Sequence, residues 1–222
     1  MTPRLPAGCV IALLGAESTG KTELARALAE RLQSRGIAAR FVGETLREWC
    51  DREGRTPRPE EQAAIAAEQT RRIAAAAQSG VVAADTTALM TAVYSDLLFD
   101  DRSLYPTALA AQRRCAITLL MGLDLPWVAD GLLRDGPHVR EPVDALIRAA
   151  LARGGVPYAV VHGNGAQRLA SAWNAIQAAT ERAEQAGDSG RQHAAWHWPC
   201  EKCSDPGCEH RLFSDLLAGR NR

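Results

Sequence analysis

The feature that most constrains this chain is the glycine-rich segment GAESTGKT at residues 15–22, directly after the apolar run CVIALL. It matches the pattern G-x-x-x-x-G-K-[ST], in which backbone amides surround phosphate groups and the next helix points its positive end at them. A strand-like run precedes the loop and a leucine-spaced helical stretch follows it, a context that a chance match would lack. Of 26 basic residues only Lys21 and Lys202 are lysines, so Lys21 stands out from the background composition.

The residue types of this loop each have a chemical purpose. Glycines permit a tight turn that aims N–H groups inward. The Lys21 ammonium can reach the β- and γ-phosphates, and the Thr22 hydroxyl can bind Mg²⁺. We therefore expect ATP and Mg²⁺ as cofactors, held by Gly15, Glu17, Ser18, Thr19, Gly20, Lys21 and Thr22.

Short apolar runs alternate with helical stretches along the chain, which is typical of a parallel α/β sheet. Strands are predicted at 9–14, 37–43, 81–85, 115–123 and 156–163, and helices at 21–36, 59–80 and 165–187. The predicted fold is a P-loop NTPase or kinase with a five-stranded parallel sheet flanked by helices. Periodicity stops near residue 187, so we expect a kinase domain at 1–187 and a Cys/His-rich tail at 188–222.

Composition excludes some function classes. Hydrophobic residues make up 46% and charged residues 23% of the chain, and the formal net charge is zero. A broad basic field for nucleic acid is therefore not expected. No apolar segment approaches the roughly 20 residues of a membrane span, and we expect a cytoplasmic protein without a membrane partner.

Acidic residues follow two of the predicted strands, at the sheet edge where ligands bind in this fold class. Asp85 is expected to hold Mg²⁺, directly or through water. The alternative, which can hold at the same time, is an N-cap of the next helix. Glu44 is a candidate base for an acceptor hydroxyl, and its alternative is a plain helix start. Arg47 shares the helical face of Glu44 and could bind either that carboxylate or a phosphate.

The connection between the fourth and fifth strands carries several charges. In small-molecule kinases such a connection is commonly a lid whose arginines neutralise the transferring phosphoryl group. The alternative is a solvated loop without a role. The charged residues concerned are Asp130, Arg134, Asp135 and Arg140.

The tail contains a cysteine cluster that suits a metal. Three thiolates and one imidazole favour Zn²⁺ over an iron–sulfur cluster. His197 is an alternative fourth ligand, and incidental cysteines in a reduced tail are the alternative to a metal site. The predicted ligands are Cys200, Cys203, Cys208 and His210.

Several segments together resemble the kinase domain of NadR-type proteins, the ribosylnicotinamide kinases. They are GAESTGKTELARALA, ETLREW, ADTTALMTAVY, LPWVADGLLRDGPHVRE and GVPYAVVHGNGAQRLASAWNAI, across roughly residues 8 to 180. The resemblance implies transfer of the ATP γ-phosphate to the 5′-hydroxyl of nicotinamide riboside or a related nucleoside. It implies Glu44 at the acceptor side, Asp85 as the acid of an Asp-Thr motif, and Arg134 and Arg140 in the lid. With the residues argued above, the expected catalytic set is Lys21, Glu44, Asp85, Arg134 and Arg140, and the expected substrate contacts are Glu44, Arg47 and Asp85.

The chain also departs from that pattern. The adenylyltransferase and DNA-binding domains that precede the kinase in some members are expected to be absent, and the cysteine tail has no counterpart. A second hypothesis is therefore a P-loop ATPase or regulatory module that acts through a protein partner.

Overall fold

The computed structural model describes residues 2–128 and 136–188, in which strands and helices alternate along the chain. Their order is β1 (Val10–Leu14), α1 (Lys21–Gln33), β2 (Ala39–Val42), α2 (Thr45–Glu53), α3 (Pro59–Ala77), β3 (Val81–Asp85), α4 (Ala88–Phe99), α5 (Tyr105–Gln112), β4 (Ile117–Met121), a 3₁₀ turn (Pro137–Val139), α6 (Arg140–Gly154), β5 (Ala159–Val161) and α7 (Gly165–Asp188).

The five strands form one parallel sheet in the order β2-β3-β1-β4-β5. This confirms the predicted α/β fold. The outer strands are shorter than predicted because apolar residues continue outside the hydrogen-bonded ladder. Val156 and Tyr158 are buried, for example, although β5 begins only at Ala159.

Both faces of the sheet are covered, which explains why the strands are apolar throughout rather than alternating. One face packs on α1 and α7 through residues such as Ile11, Leu119 and Trp173. The other face packs on α3, α4, α5 and α6, and Leu14 and Leu120 lie in that layer. The β1 strand therefore lies at the centre of the core, and the loop at residues 15–22 starts from this buried strand.

Helices account for two stretches that the sequence left unassigned or assigned differently. The segment after β3 folds into α4 and α5, and the second half of the predicted lid connection forms α6. Within the described part of the chain, no helix is long and apolar enough to cross a bilayer.

Strand order positions the site. The connections leaving β1 and β4, which are neighbours in the sheet, pass to opposite sides, so a crevice opens beyond their carboxyl ends. The loop after β1 and the ends of β2 and β3 meet at this edge.

Candidate active site

The loop at residues 15–22 joins β1 to α1 and has the backbone of an anion-binding nest. Ser18 and Gly20 have φ of 54° and 74°, and Gly15 has φ of 154°. A Cβ atom on Gly15 would lie 2.8 Å from the Cβ of Met121, so only glycine fits there. Positive φ values turn successive amides to one side of the chain, and α1 begins directly afterwards at Lys21. The predicted phosphate site thus has the local geometry its chemistry requires.

The Lys21 side chain lies across the loop. Its ammonium donates hydrogen bonds to the carbonyl oxygens of Gly15, at 2.9 Å, and Ala16, at 2.8 Å. The residue is 9% exposed. Thr19 donates from its hydroxyl to the same Ala16 oxygen at 2.7 Å, which fixes the turn. A positive charge is therefore held at the mouth of the nest.

Thr22 and Asp85 are in direct contact below the loop. The Thr22 hydroxyl donates to Asp85 Oδ2 at 2.5 Å. Asp85 is 1% exposed, and its Oδ1 atom is buried with no hydrogen-bond partner among the described residues. A hydroxyl oxygen beside a carboxylate with an unused oxygen is the hard donor set that Mg²⁺ prefers. These residues fit the metal ion.

Asp85 does not cap the following helix. The N-cap of α4 is Thr87, whose hydroxyl accepts from the Leu89 amide at 3.2 Å. The N-cap alternative for Asp85 is therefore wrong. Thr86, between the two, has φ of 71°, an unusual conformation for a β-branched residue. Such strain is commonly found beside functional groups.

Glu44 lies at the end of β2, next to the end of β3. It occupies the N-cap position of α2 without a side-chain capping bond, and it is half-buried. Arg47 is exposed on α2. Since Val42 of β2 pairs with Ala84 of β3, the two strand ends place Glu44 and Asp85 at the same edge.

Gln69 of α3 ties these strand ends together, and the sequence reasoning missed it. Its Oε1 accepts from the Thr45 amide at 2.7 Å, and its Nε2 donates to Gly43 O at 3.2 Å and Thr86 O at 3.5 Å. The signal in the sequence was a glutamine on the apolar stripe of a helix, in register with Ile65 and Ile73. Buried amides in such stripes usually have backbone partners.

The far side of the loop holds a buried arginine that the sequence reasoning also missed. Arg168 of α7 is 3% exposed and donates to Val161 O at 3.1 Å, Gly122 O at 3.4 Å and Asp124 Oδ1 at 2.9 Å. Burial lowers its pKa, while Asp124 acts in the opposite direction. A Cβ atom on Gly20 would lie 3.9 Å from Arg168 Nε, so this guanidinium is packed behind the nest.

Of the predicted lid arginines, only Arg140 is described. It begins α6, is 8% exposed, and donates to Leu123 O at 3.3 Å. Ser18 donates from its hydroxyl to Val128 O at 2.9 Å, which brings the start of this connection to the phosphate loop. Asp130, Arg134 and Asp135 lie outside the described residues.

The predicted zinc ligands, Cys200, Cys203, Cys208 and His210, also lie outside the described residues. Within residues 2–128 and 136–188 no group of three or more His, Cys, Asp or Glu side chains is placed to hold a metal ion.

A family model described as an AAA domain matches residues 10–168, which is more than half of the chain. The chain belongs to the AAA domain family. A search of curated protein sequences returned no match. The matched region runs from the first residue of β1 to Arg168, so it includes both the phosphate loop and the buried arginine behind it.

Among solved structures this AAA domain is similar to the NadR protein in complex with NR, with a TM-score of 0.62 and 24% identity over 78% of this chain and 50% of the other. It is also similar to the NadR protein in complex with NAD and AMP-PNP, with a TM-score of 0.60 and 24% identity over 78% of this chain and 49% of the other. These likenesses confirm the fold drawn from the motifs. The chain spans about half the length of these NadR structures.

Proposed function

We propose that this protein is an ATP-dependent small-molecule kinase that transfers the γ-phosphate to the 5′-hydroxyl of nicotinamide riboside or a related nucleoside. The observation that carries the proposal is the Thr22–Asp85 contact beneath the phosphate loop, with Glu44 at the adjacent strand end. Metal-binding oxygens and a second carboxylate at one edge are what phosphoryl transfer to a hydroxyl requires.

The phosphate side of the proposed reaction depends on positioning and charge. The loop amides and the start of α1 bind the phosphates, and Lys21 moves from the Gly15 and Ala16 carbonyls to the β- and γ-phosphate oxygens. Thr22 and Asp85 would hold Mg²⁺, and the bound ion would supply positive charge that offsets the charge of the phosphates. Arg134 and Arg140 approach the transferring group from the lid connection and offset its developing negative charge.

The acceptor side depends on Glu44. Its carboxylate orients the acceptor hydroxyl and takes the proton as the bond from that oxygen to phosphorus forms and the bond from phosphorus to ADP breaks. Gln69 holds the Glu44 segment through Thr45 and Gly43, so the base stays at a fixed distance from Asp85. Arg47 on α2 is a further contact for the substrate.

Two comparisons support the choice of acceptor class. The chain has the fold of the NadR protein, which was solved in complex with NR and in complex with NAD and AMP-PNP. Since it spans about half the length of those structures, nicotinamide riboside phosphorylation is a proposal for this chain. We propose in addition that the tail binds zinc through Cys200, Cys203, Cys208 and His210, which elemental analysis of the purified protein tests.

The experiment is a turnover assay of the full chain with ATP and Mg²⁺ against a panel of nucleosides, nicotinamide riboside included, with product detected by chromatography. We expect a phosphorylated nucleoside and equal amounts of ADP. Slow ADP release without any phosphorylated product would contradict the kinase proposal and favour the regulatory ATPase hypothesis.

A further inference from the structure

The buried face of α3 contains two glutamines, and the carbonyl oxygen of only one of them has a hydrogen-bond partner among the described residues. Gln62 and Gln69 are 1% and 2% exposed, among Ile65, Ala66 and Ile73. Seven residues make almost two full helical turns, so both side chains lie on one face about 10 Å apart along the axis. Gln69 binds the ends of β2 and β3, as described above. The Gln62 Oε1 atom is buried and has no hydrogen-bond partner within the described parts of the chain.

The direction of α3 places Gln62 beyond the sheet edge. The carboxyl end of the helix lies at the amino edge of the sheet, since Ala77 O is 3.3 Å from where a Gly8 Cβ would lie, and Gly8 directly precedes the β1 region. Gln69 lies level with the carboxyl ends of β2 and β3. Gln62, two turns nearer the start of the helix, therefore lies beyond the carboxyl ends of β2 and β3, on the side of the sheet edge that carries Glu44 and Asp85.

Stability alone does not explain an amide at this position. A buried carbonyl oxygen without a partner costs about 1–3 kcal/mol. The neighbouring positions on the same stripe are isoleucine and alanine, so an apolar side chain suits the local packing. A buried polar atom without a partner needs an explanation in a native protein, and convergent polar groups beside a binding edge are what fix the orientation of a bound ligand.

The charges around this part of α3 indicate which class of ligand fits. Arg55 donates to both oxygens of Glu61, at 2.8 and 2.7 Å. Arg71 and Arg72 each donate to Glu68. These guanidinium groups already bind carboxylates, and the site itself adds Glu44 and Asp85. Together with the Gln62 carbonyl oxygen, these carboxylates make the edge rich in hydrogen-bond acceptors, which suits a ligand that donates O–H or N–H hydrogen bonds.

We propose that Gln62 is a specificity residue whose Oε1 accepts a hydrogen bond from an O–H or N–H group at the base end of an unphosphorylated nucleoside. The inference rests on the proposed function. A nucleoside with its 5′-hydroxyl at Glu44 extends away from the sheet edge toward the first turns of α3, where Gln62 lies.

The test compares Gln62→Met with Gln78→Met in the full chain. Methionine keeps the length of glutamine and removes the accepting oxygen. Gln78 is the exposed C-cap residue of the same helix and serves as a matched control. Steady-state kinetics with ATP, Mg²⁺ and the best nucleoside from the panel are measured beside the corresponding 5′-monophosphate, together with the melting temperature.

We expect Gln62→Met to raise KM for the nucleoside about tenfold, the value of one lost hydrogen bond. The KM for ATP and kcat should stay within about twofold, and the melting temperature should be unchanged or higher because an unpaired polar atom is removed. Gln78→Met should match the wild type. A merely structural glutamine would lower the melting temperature and leave the nucleoside KM unchanged.

Two outcomes distinguish failure of this inference from failure of the kinase proposal. An unchanged nucleoside KM in Gln62→Met, or a monophosphate as the better acceptor, overturns this inference and leaves the kinase proposal standing. A wild type that phosphorylates no acceptor overturns both. Should Gln62→Met not fold, Gln62→Asn is the second variant, because it shortens the side chain by one methylene group and withdraws the oxygen from the ligand. The nucleoside KM should again increase, but by less than tenfold.

Discussion

The Thr22 hydroxyl lies 2.5 Å from Asp85 Oδ2, although 63 residues separate them in the chain. Thr22 lies in the first turn of α1, and Asp85 is the last residue of β3, which pairs with β1 in the sheet. The contact therefore joins two rigid elements rather than two loops. Such a pair can bind a cation without rearranging the backbone, which makes it the most informative place to test the site.

Thr22→Val should lower activity at least tenfold and raise the Mg²⁺ concentration needed for half-maximal rate. Valine has the shape of threonine without the hydroxyl, so one metal-binding oxygen is lost. The measurement is a Mg²⁺ titration of turnover at saturating ATP. Thr22→Ser retains the hydroxyl and should behave like the wild type. Equal Mg²⁺ dependence in the valine and serine variants would remove Thr22 from the metal site.

Lys21→Ala should reduce kcat/KM by about 10² to 10³-fold, the usual effect of removing one preorganised donor to the transition state. The ammonium donates to the carbonyl oxygens of Gly15 and Ala16 in the loop and lies outside the hydrophobic core, so its loss should leave the fold intact. Circular dichroism and the melting temperature check the fold, and single-turnover transfer checks the chemistry. An active Lys21→Ala variant would show that the phosphate loop does not hold the transferred group.

Gly15→Ala and Gly36→Ala form a matched pair, because both glycines have positive φ. A Cβ atom on Gly15 would meet Met121 Cβ at 2.8 Å, whereas a Cβ atom on Gly36 would meet nothing within 4 Å. Gly36→Ala should therefore cost only the left-handed backbone penalty, about 1–2 kcal/mol. Gly15→Ala should cost more and should also abolish ATP binding in calorimetry. Normal ATP binding by Gly15→Ala would contradict the nest geometry.

Stability should increase with pH in the acidic range, partly through Glu61. Its hydrogen bonds from the Arg55 guanidinium, and then from the Arg58 amide, lower its pKa from 4.5 to about 2. The unfolded chain binds the proton first, so this contribution is complete above about pH 4.5 and is lost as the pH falls toward 2. Glu61→Gln should flatten the melting temperature over that interval. The expected change is small, since the pair is partly exposed.

The sequence was sufficient for the sheet and the phosphate loop because both depend on local patterns. Five apolar runs separated by helical stretches determine a covered parallel sheet, and the loop motif carries its own backbone requirements. The expectation for Asp85 could not be decided in the same way, since whether it or Thr87 caps α4 depends on where the helix begins.

The missed residues share one property: their partners are distant in the chain. Gln69 binds the amide of Thr45, and Arg168 binds Asp124 and the carbonyl of Gly122. Both contacts exist only after helices have packed on the sheet. Single-residue patterns indicate that a buried polar side chain needs a partner, but the identity of the partner comes from tertiary packing.

Gln69→Leu should lower both stability and kcat. It removes an acceptor from the buried Thr45 amide and a donor from the Gly43 and Thr86 carbonyls, so the free energy of unfolding should fall by about 2–4 kcal/mol. Without the hydrogen bonds of Gln69, residues 43–45, which include Glu44, should be able to move relative to Asp85. We therefore expect kcat to fall while the KM for ATP stays near its normal value, since the phosphate loop is untouched. Urea denaturation gives the first quantity and steady-state kinetics the second, with the exposed Gln78→Leu as control. A loss of stability with unchanged kcat would mean that Gln69 supports the fold without positioning the proposed base.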